Sequence, residues 1–421
     1  MASAVVELRK GIHWVGVKDW GRRLFDGLIP LPHGTSYNAY VVQGSAKTAL
    51  VDTVNPGFED ELLAKVGKVA DPAALDYVVM NHAEPDHAGA IPSVLATSPT
   101  ARLILTAKGA DMAARYFRVS QDRMQVVKDG DILDLGGKTL RFIDAPFLHW
   151  PETMFTYVVE DKVLFSCDFF GAHTAAGVYA DEVTDLAIRA RMYFGEIMMP
   201  FRKAGERALK KLAGLPIELI APSHGPLWCH PERILSLYRQ WTMGETRPKV
   251  VVAYVSMWGS TERLVHIVAE TLLDEGVQVA VHELAHVDLG DLAGDLVDAQ
   301  AIVLGAPTVL GALHPAALYA AHLVRTLKPP LRYAAVLSSY GWGGGALRQV
   351  GEILGPTGIE VVGAVEIHGP PDADAEAQAA ALGADLATRV TSPPPVPTPR
   401  PESVVGHPEH HPADGWGGGA V

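Results

Sequence analysis

The chain has 421 residues, 48% hydrophobic and 20% charged, with a net charge of −13 at pH 7. This composition excludes an intrinsically disordered chain and predicts about two to three domains with sizeable cores. The negative balance argues against binding to nucleic acid or to an anionic membrane surface. The two cysteines, Cys167 and Cys229, exclude a disulfide scaffold and a cysteine-ligated iron–sulfur centre. Without a membrane-length apolar stretch or a visible secretory signal, a cytoplasmic protein is expected.

The first 247 residues contain short apolar runs of strand length mixed with a few helices. Several runs are followed at once by polar or acidic residues, which is typical of a sheet that presents a site from its strand ends. The predicted strands include 39–42, 48–52, 77–80, 103–105, 162–165 and 217–220.

From Lys249 the chain alternates strands and helices in regular units, which favours a doubly wound domain built on a parallel sheet. The domain boundaries predicted from this change are 1–247 and 248–390. Residues 391–421 are rich in proline and glycine and are predicted to be a disordered tail. His407, His410 and His411 are interpreted as incidental polar groups of that tail, with adventitious metal binding as the alternative. The predicted strands of the second domain are 250–254, 277–281, 301–304, 334–337 and 359–362.

Seven potential metal ligands lie where strands or apolar runs give way to loops. Four fall within six residues after the strand at 77–80, and packing does not explain so many charged groups there. Seven ligands are too many for one ion but suffice for two ions with one bridging carboxylate. Imidazole and carboxylate groups without thiolate suit iron, zinc or manganese. The seven residues are His82, Glu84, Asp86, His87, His149, Asp168 and His224.

The spacing His-x-x-x-Asp-His, followed by later His, Asp and His residues, resembles the metallo-β-lactamase fold. Hydrolytic zinc-binding members of that fold usually carry a second His at the position of Glu84. The glutamate variant joined to a flavodoxin-like domain resembles the flavodiiron proteins (A-type flavoproteins). The resemblance spans about residues 5–390. Other segments that carry it are 34–38, 149–155, 198–201 and 223–226.

The resemblance implies a fold of two parts: a metallo-β-lactamase-like αββα sandwich and a flavodoxin-like, doubly wound, five-stranded parallel sheet. It also implies two iron ions. One would be held by His82, Glu84 and His149. The other would be held by Asp86, His87 and His224, with Asp168 bridging the pair. Glu84 adds negative charge, which favours the higher oxidation states of iron over a plain zinc site. Cys167 is interpreted as a buried apolar residue that points away from Asp168 if the chain is extended there.

Three loops after strands of the second domain resemble a flavodoxin FMN site. Hydroxyl groups and backbone N–H groups at a helix N-terminus can hold a phosphate without Lys or Arg. Aromatic side chains can stack on a flat ring, and glycines permit close backbone approach. Family members often carry Asn where this chain has Leu310 and Gly311. The predicted FMN residues are Ser256, Met257, Trp258, Gly259, Ser260, Thr261, Pro307, Thr308, Val309, Leu310, Gly311, Ser339, Tyr340, Gly341, Trp342, Gly343 and Gly344.

The resemblance implies an oxidoreductase that reduces O2 to water, NO to N2O, or both, with FMN relaying electrons to the irons. Both gases would use the same ligands, so the preference between them stays open. Tyr193 is a candidate catalytic residue, with a packed core tyrosine as the alternative. A separate electron donor, rubredoxin-like or another reductase, is expected. The implied assembly is a head-to-tail homodimer, with dimer against tetramer left open.

Two other functions are compatible with parts of the pattern. The first is a zinc-dependent hydrolase of the metallo-β-lactamase type with an appended flavodoxin-like domain, against which Glu84 and the flavin loops argue. The second is an electron-carrier module whose first domain only positions a partner, against which the complete ligand set argues. Metal analysis distinguishes all three, because they predict two irons, two zincs or no metal per chain.

Overall fold

The first half of the structure is built on two sheets, in a computed structural model that describes residues 4–392. Residues 393–421 of the predicted tail lie outside the described residues, whereas Thr391, where that tail was predicted to begin, is the last residue of a helix. The strands of this half are β1 Val6–Arg9, β2 Ile12–Trp14, β3 Val17–Asp19, β4 Leu24–Phe25, β5 Ile29–Pro30, β6 Thr35–Tyr37, β7 Tyr40–Gln43, β8 Thr48–Val51, β9 Tyr77–Val79, β10 Arg102–Leu105, β11 Met124–Val126, β12 Ile132–Asp134, β13 Thr139–Asp144, β14 Met154–Val158, β15 Val163–Phe165 and β16 Leu219–Ala221. The helices are α1 Glu59–Val66, α2 Pro85–Ala88, α3 Ile91–Thr97, α4 Ala107–Tyr116, α5 Leu186–Tyr193, α6 Arg202–Leu212 and α7 Pro231–Met243.

The two sheets pack face to face with helices on both outer sides. The first sheet has the order β1-β2-β7-β8-β9-β10-β11 and the second has the order β12-β13-β14-β15-β16. Strand alternation places side chains such as Val79 and Phe165 in one shared core between the sheets. Helices α1, α3 and α4 cover the outer face of the first sheet, and α5 to α7 cover the second. This arrangement confirms the predicted αββα sandwich.

The second half is a parallel sheet with helices on both faces. Its main path has the order β18-β17-β19-β21-β22, and the strand order reverses beside β17, as in a flavodoxin-like sheet. The predicted doubly wound domain is therefore confirmed. Its strands are β17 Lys249–Tyr254, β18 Gln278–Glu283, β19 Ala301–Val309, β20 Ala312–Leu313, β21 Tyr333–Tyr340 and β22 Glu360–His368. Its helices are α8 Ser260–Asp274, α9 Leu289–Leu296, α10 Pro315–Leu327, α11 Ala346–Leu354 and α12 Ala373–Thr391.

Strand lengths in this sheet differ from the sequence prediction. The central strands β19 and β21 and the edge strand β22 run several residues beyond their apolar runs. They do so because neighbouring strands continue to pair there, as between Ser339 and Ile367. β18, which corresponds to the predicted strand 277–281, lies at the edge of the sheet, and no residue of it is buried. An edge strand has a neighbour on only one side, and its burial depends on that position rather than on its composition.

The two halves share one continuous hydrophobic cluster that reaches from Phe25 to Ile359. Helix α5 and the π-helical turn Phe194–Met198 that continues it pack against α9. Gly195 makes this approach possible, because a Cβ atom there would lie 2.5 Å from the carbonyl oxygen of Ala293. The division at residues 247 and 248 stays a prediction. Within residues 4–392, no helix combines the length and the apolar character needed to cross a bilayer.

Candidate metal centre and cofactor cavity

The structure brings the seven predicted ligands into two adjoining groups at one edge of the sandwich. Within each group, one nitrogen or oxygen atom per residue lies within 4.8 Å of the others. All seven side chains are buried except His149, which is partly exposed. Six of the seven residues follow the ends of β9, β15 and β16, and His149 lies in the loop between β13 and β14. The groups are His82, Glu84, His149 and Asp168, and Asp86, His87 and His224.

Asp168 lies between the two groups, with one carboxylate oxygen facing each. Its Oδ1 lies 2.9 Å from His87 Nε2 and 3.6 Å from His224 Nε2. Its Oδ2 lies 3.4 Å from His82 Nε2 and 3.6 Å from His149 Nε2. A carboxylate in this position can bridge two cations, which agrees with the role the sequence predicted for it.

Buried polar atoms without partners show that the centre fits positive charge. Both carboxylate oxygens of Asp86 and of Asp168, and both ring nitrogens of His87, are buried without a hydrogen bond. These carboxylates face histidine rings at short distances, and burying them is costly unless positive charge compensates them. The imidazole and carboxylate donors are those that iron, zinc and manganese accept.

The charge balance in the centre is set by histidines facing carboxylates. Burial lowers the pKa of His87, but Asp86 and Asp168 outweigh it and raise that pKa to about 9. The pKa of His149 is raised to about 9 in the same way, against burial, by Asp168 and Glu84. Protons on these histidines and metal ions are therefore alternative sources of the positive charge that compensates the carboxylates. Metal binding must displace those protons.

A layer of outer partners orients the ligand rings. His82 Nδ1 lies 2.7 Å from Glu152 Oε1, which also accepts a hydrogen bond from Ala83 N at 2.8 Å. His224 Nδ1 lies 2.8 Å from the carbonyl oxygen of Ser36. In both rings the outer nitrogen is engaged and Nε2 is directed into the centre, which is how metal-binding histidines are usually held. Neither residue type nor spacing in the sequence had identified Glu152 or Ser36 as a partner of these rings.

The backbone before Asp168 differs from the extended chain on which the interpretation of Cys167 depended. Cys167 has a φ of 49°, in the left-handed region, so the extended chain on which that interpretation was conditional is not present here. The thiol is nevertheless buried, and burial raises its pKa well above the ordinary value. The carbonyl oxygen of Cys167 accepts a hydrogen bond from Ser223 N at 2.8 Å, which ties this turn to the loop of His224.

Tyr193 and His173 form the next layer of the centre. The ring of Tyr193 lies 4.8 Å from that of His173 and 6.0 Å from that of His224, measured between centroids. His173 Nδ1 lies 3.1 Å from Thr35 Oγ1, and burial holds the pKa of His173 well below its ordinary value. His173 was missed because it lies in an irregular loop. The catalytic role of Tyr193 stays a prediction.

A cavity of about 540 Å³ lies at the carboxyl ends of β17, β19 and β21, where the three predicted flavin loops meet. Ser256 accepts backbone hydrogen bonds from Gly259 and Glu262, so it shapes the first loop instead of lining the cavity. Thr261 is buried and bonds Ser339 at 2.9 Å between hydroxyl oxygens. The cavity is lined by Met257, Trp258, Ser260, Pro307, Thr308, Val309, Leu310, Ser339, Tyr340, Gly341, Trp342, Gly369 and Pro370.

Other predicted flavin residues do not line this cavity, and two lining residues were not predicted. Gly369 and Pro370 follow the last strand, β22, whose end the sequence placed too early. Ring stacking of Tyr340 on His368, at 5.3 Å and 11°, holds that strand end against the third loop. Predicted residues outside the lining are Ser256, Gly259, Thr261, Gly311, Gly343 and Gly344.

Three large apolar side chains at the cavity are almost fully exposed. The exposed fractions are 90% for Trp258, 93% for Leu310 and 92% for Trp342. Such a group of exposed apolar side chains marks a surface that a ligand or another protein covers.

Comparisons with known proteins agree with this architecture. The model of the ODP family beta lactamase matches residues 35–225, and the flavodoxin model matches residues 252–383. A nitric oxide reductase from Moorella thermoacetica is 38% identical over 367 residues, which are 86% of this chain and 92% of the relative. The solved rubredoxin oxygen:oxidoreductase from Desulfovibrio gigas is 30% identical with a TM-score of 0.88, covering 92% of this chain and 98% of that one. The flavodiiron protein from Giardia intestinalis is 28% identical with a TM-score of 0.88, covering 92% and 97%.

Proposed function

This chain belongs to the flavodiiron protein family, and on that premise we propose that it reduces O2 to water, NO to N2O, or both. Reduction of one O2 takes four electrons and four protons, and reduction of two NO takes two of each. The position of Asp168 between two groups of ligands is the observation that carries the proposal, because it provides for two adjacent metal ions.

The ligand assignment that we propose follows the two groups. His82, Glu84 and His149 would hold one iron, Asp86, His87 and His224 would hold the other, and Asp168, which lies between the two groups, would be shared by both. Two iron ions, when bound, would supply a place for a diatomic gas and for the electrons that reduce it. Glu152 and the carbonyl group of Ser36 keep two of the imidazole rings in the metal-binding orientation.

The second half provides a site for FMN. The cavity, its aromatic walls and the start of α8 beside Ser260 suit a flavin ring and a single phosphate. FMN, when bound, would supply electron transfer in steps of one or two electrons. Ser260 lines the cavity at the helix N-terminus, and Tyr340 and Trp342 lie in the loop that can stack on the ring.

We further propose that two chains pair head to tail, so that the flavin cavity of one faces the metal centre of the other. The exposed side chains of Trp258, Leu310 and Trp342 support this pairing, because a partner subunit would cover them. We propose a separate protein, rubredoxin-like or another reductase, as the electron donor, and the name of the relative from Desulfovibrio gigas includes rubredoxin. A cytoplasmic location stays a prediction from the sequence.

The zinc hydrolase is not favoured, since the named relatives are oxidoreductases and Glu84 lies among the ligands of the first group.

Metal and flavin analysis of the purified protein, followed by anaerobic reduction and mixing with O2 or NO, tests the proposal that this chain reduces these gases. We expect two irons and one FMN per chain, with rapid consumption of at least one gas. Two zincs and no gas consumption would exclude it.

A further inference from the structure

A small, partly open cavity lies beside the metal centre, where the rings of His173 and Tyr193 pack towards His224. Its volume is about 20 Å³, which is room for about one water molecule. Pro30, Leu31 and Pro32 form one wall, and α5 with its π-helical continuation forms another. The polar lining comes from His33, His173, Arg189, Tyr193 and Glu196.

Two polar groups at this cavity lack partners. His173 Nε2 is buried and has no hydrogen bond, whereas its Nδ1 is occupied by Thr35. The Glu196 carboxyl group makes no hydrogen bond or ion pair in residues 4–392. It lies against the first turn of α9, where a Cβ atom at Gly290 would be 2.7 Å from its Oε1. A water in the cavity would give both groups a partner.

Glu196 lies on the π-helical turn Phe194–Met198, directly after Tyr193 at the end of α5. Isolated π-helical turns within helices are often found at functional sites, because they redirect side chains that an α-helix would place elsewhere. Here the turn places Glu196 on the same cavity as Tyr193 and His173, whose rings pack towards His224.

We propose that Glu196 is the proton-relay residue that supplies the metal centre during gas reduction. This inference rests on the proposed function, since that reaction consumes a proton for each electron. The O–H bond of the Glu196 carboxylic acid breaks and its proton passes to the cavity water. A proton of that water moves on to the oxygen that is being reduced. The electrons come from the separate donor protein, and solvent returns a proton to Glu196, which is partly exposed.

The surroundings keep Glu196 protonated near neutral pH. Burial raises its pKa to about 8, and the negative charges of Asp288 and Asp291 at the start of α9 add to this effect. Arg189 on α5 also faces the cavity, but it is paired with Asp185 at 2.9 Å. His33 and His173 line the remaining sides of the cavity. The carboxyl group can therefore donate a proton at neutral pH and loses that ability as the pH rises through about 8.

The test is stopped-flow oxidation of the fully reduced protein by O2 or NO, measured as a function of pH. Wild type should lose rate as the pH rises through about 8. Glu196→Gln should be about a hundredfold slower at neutral pH, should lose this alkaline limb, and should retain its iron and FMN. Glu196→Asp should recover part of the rate. Glu206→Gln, an exposed carboxylate on α6 that pairs with Lys210, is the matched control and should change nothing.

A second variant changes the charge beside Glu196 without removing Glu196. Asp291→Asn removes one of the charges that raise the pKa of Glu196, so the alkaline limb should move to lower pH with the rate at low pH unchanged.

An infrared titration of the purified full chain gives a readout independent of activity. A protonated carboxyl band should disappear near pH 8 and be absent in Glu196→Gln.

Two outcomes separate this inference from the proposed function. If wild type consumes neither gas, the proposed function fails and this inference fails with it. If wild type is active but Glu196→Gln keeps both the rate and the alkaline limb, only the role of Glu196 is overturned. If wild type shows no protonated carboxyl band that disappears near pH 8 and is missing in Glu196→Gln, the role of Glu196 is overturned as well.

Discussion

The metal centre and the flavin cavity differ in how their side chains are held. In the metal centre, buried ligands are surrounded by further partners, as when Glu152 holds His82 and Ser36 holds His224. In the flavin cavity, the lining includes side chains with no such support, and Trp258 and Trp342 are almost fully exposed.

This difference follows from what each site is proposed to hold. Concentrated charge of both signs must be compensated inside the protein, and compensation requires fixed partners at short distances. A flat aromatic cofactor that exchanges electrons with other proteins needs an accessible edge. We therefore expect substitutions at the metal centre to act through metal content, and substitutions at the cavity to act through affinity.

The largest effect is expected from Glu84→His, which replaces a charged ligand with a neutral one. The variant should take up zinc in place of iron, because the lost negative charge had favoured the higher oxidation states of iron. Gas consumption should fall by more than about a hundredfold. Metal analysis by mass spectrometry together with O2 and NO electrodes measures both results. A variant with two irons and normal activity would contradict this account of Glu84.

A smaller effect is expected when the support of a ligand is removed but the ligand itself stays. Glu152→Gln keeps the shape of the side chain but removes the charge that faces His82 Nδ1 at 2.7 Å. Iron affinity should fall about tenfold to a hundredfold, measured by competition with a chelator. Glu160→Gln, on an exposed carboxylate of the same half, provides the control. Equal iron retention in the two variants would show that Glu152 does not support the centre.

At the flavin cavity, Ser260→Ala should weaken FMN binding about tenfold to a hundredfold, since a hydrogen bond to phosphate is lost. Thr261→Ala should have the smaller effect of the two, because its hydroxyl bonds Ser339 and does not line the cavity. Fluorescence titration of the flavin-free protein with FMN measures both affinities. Unchanged affinity in Ser260→Ala, or the isolation of FAD from the protein, would rule out this phosphate position.

The last prediction joins the two sites through the proposed dimer. Chains that lack iron through His82→Ala, mixed with chains that lack FMN through Ser260→Asp, should regain activity by subunit exchange. Each heterodimer keeps one of two symmetric flavin–iron pairs, so up to about half of the normal activity per dimer is expected. Activity is measured before and after mixing. Full activity of wild-type monomers at high dilution would exclude transfer between subunits.

Local patterns predicted the doubly wound second half and the positions of the ligands, and the resemblance to the flavodiiron proteins implied the αββα sandwich of the first half. Apolar runs that end in His, Asp and Glu indicated both the strands and the edge at which their side chains meet, and the structure brings these side chains together. Loops after the strands of the second half likewise indicated the cavity. The ligands and the cavity loops could be predicted from the sequence because they depend on residue types within a few positions of one another.

Only the tertiary structure decided which residues support those sites. Glu152 lies 70 positions from His82 and Thr35 lies 138 positions from His173, so their contacts depend on how separate elements pack. The same holds for Gly369 and Pro370, which reach the cavity because β22 continues to pair with β21. Periodicity and ligand spacing are local properties of a chain, whereas these contacts exist only once distant segments pack into shared cores.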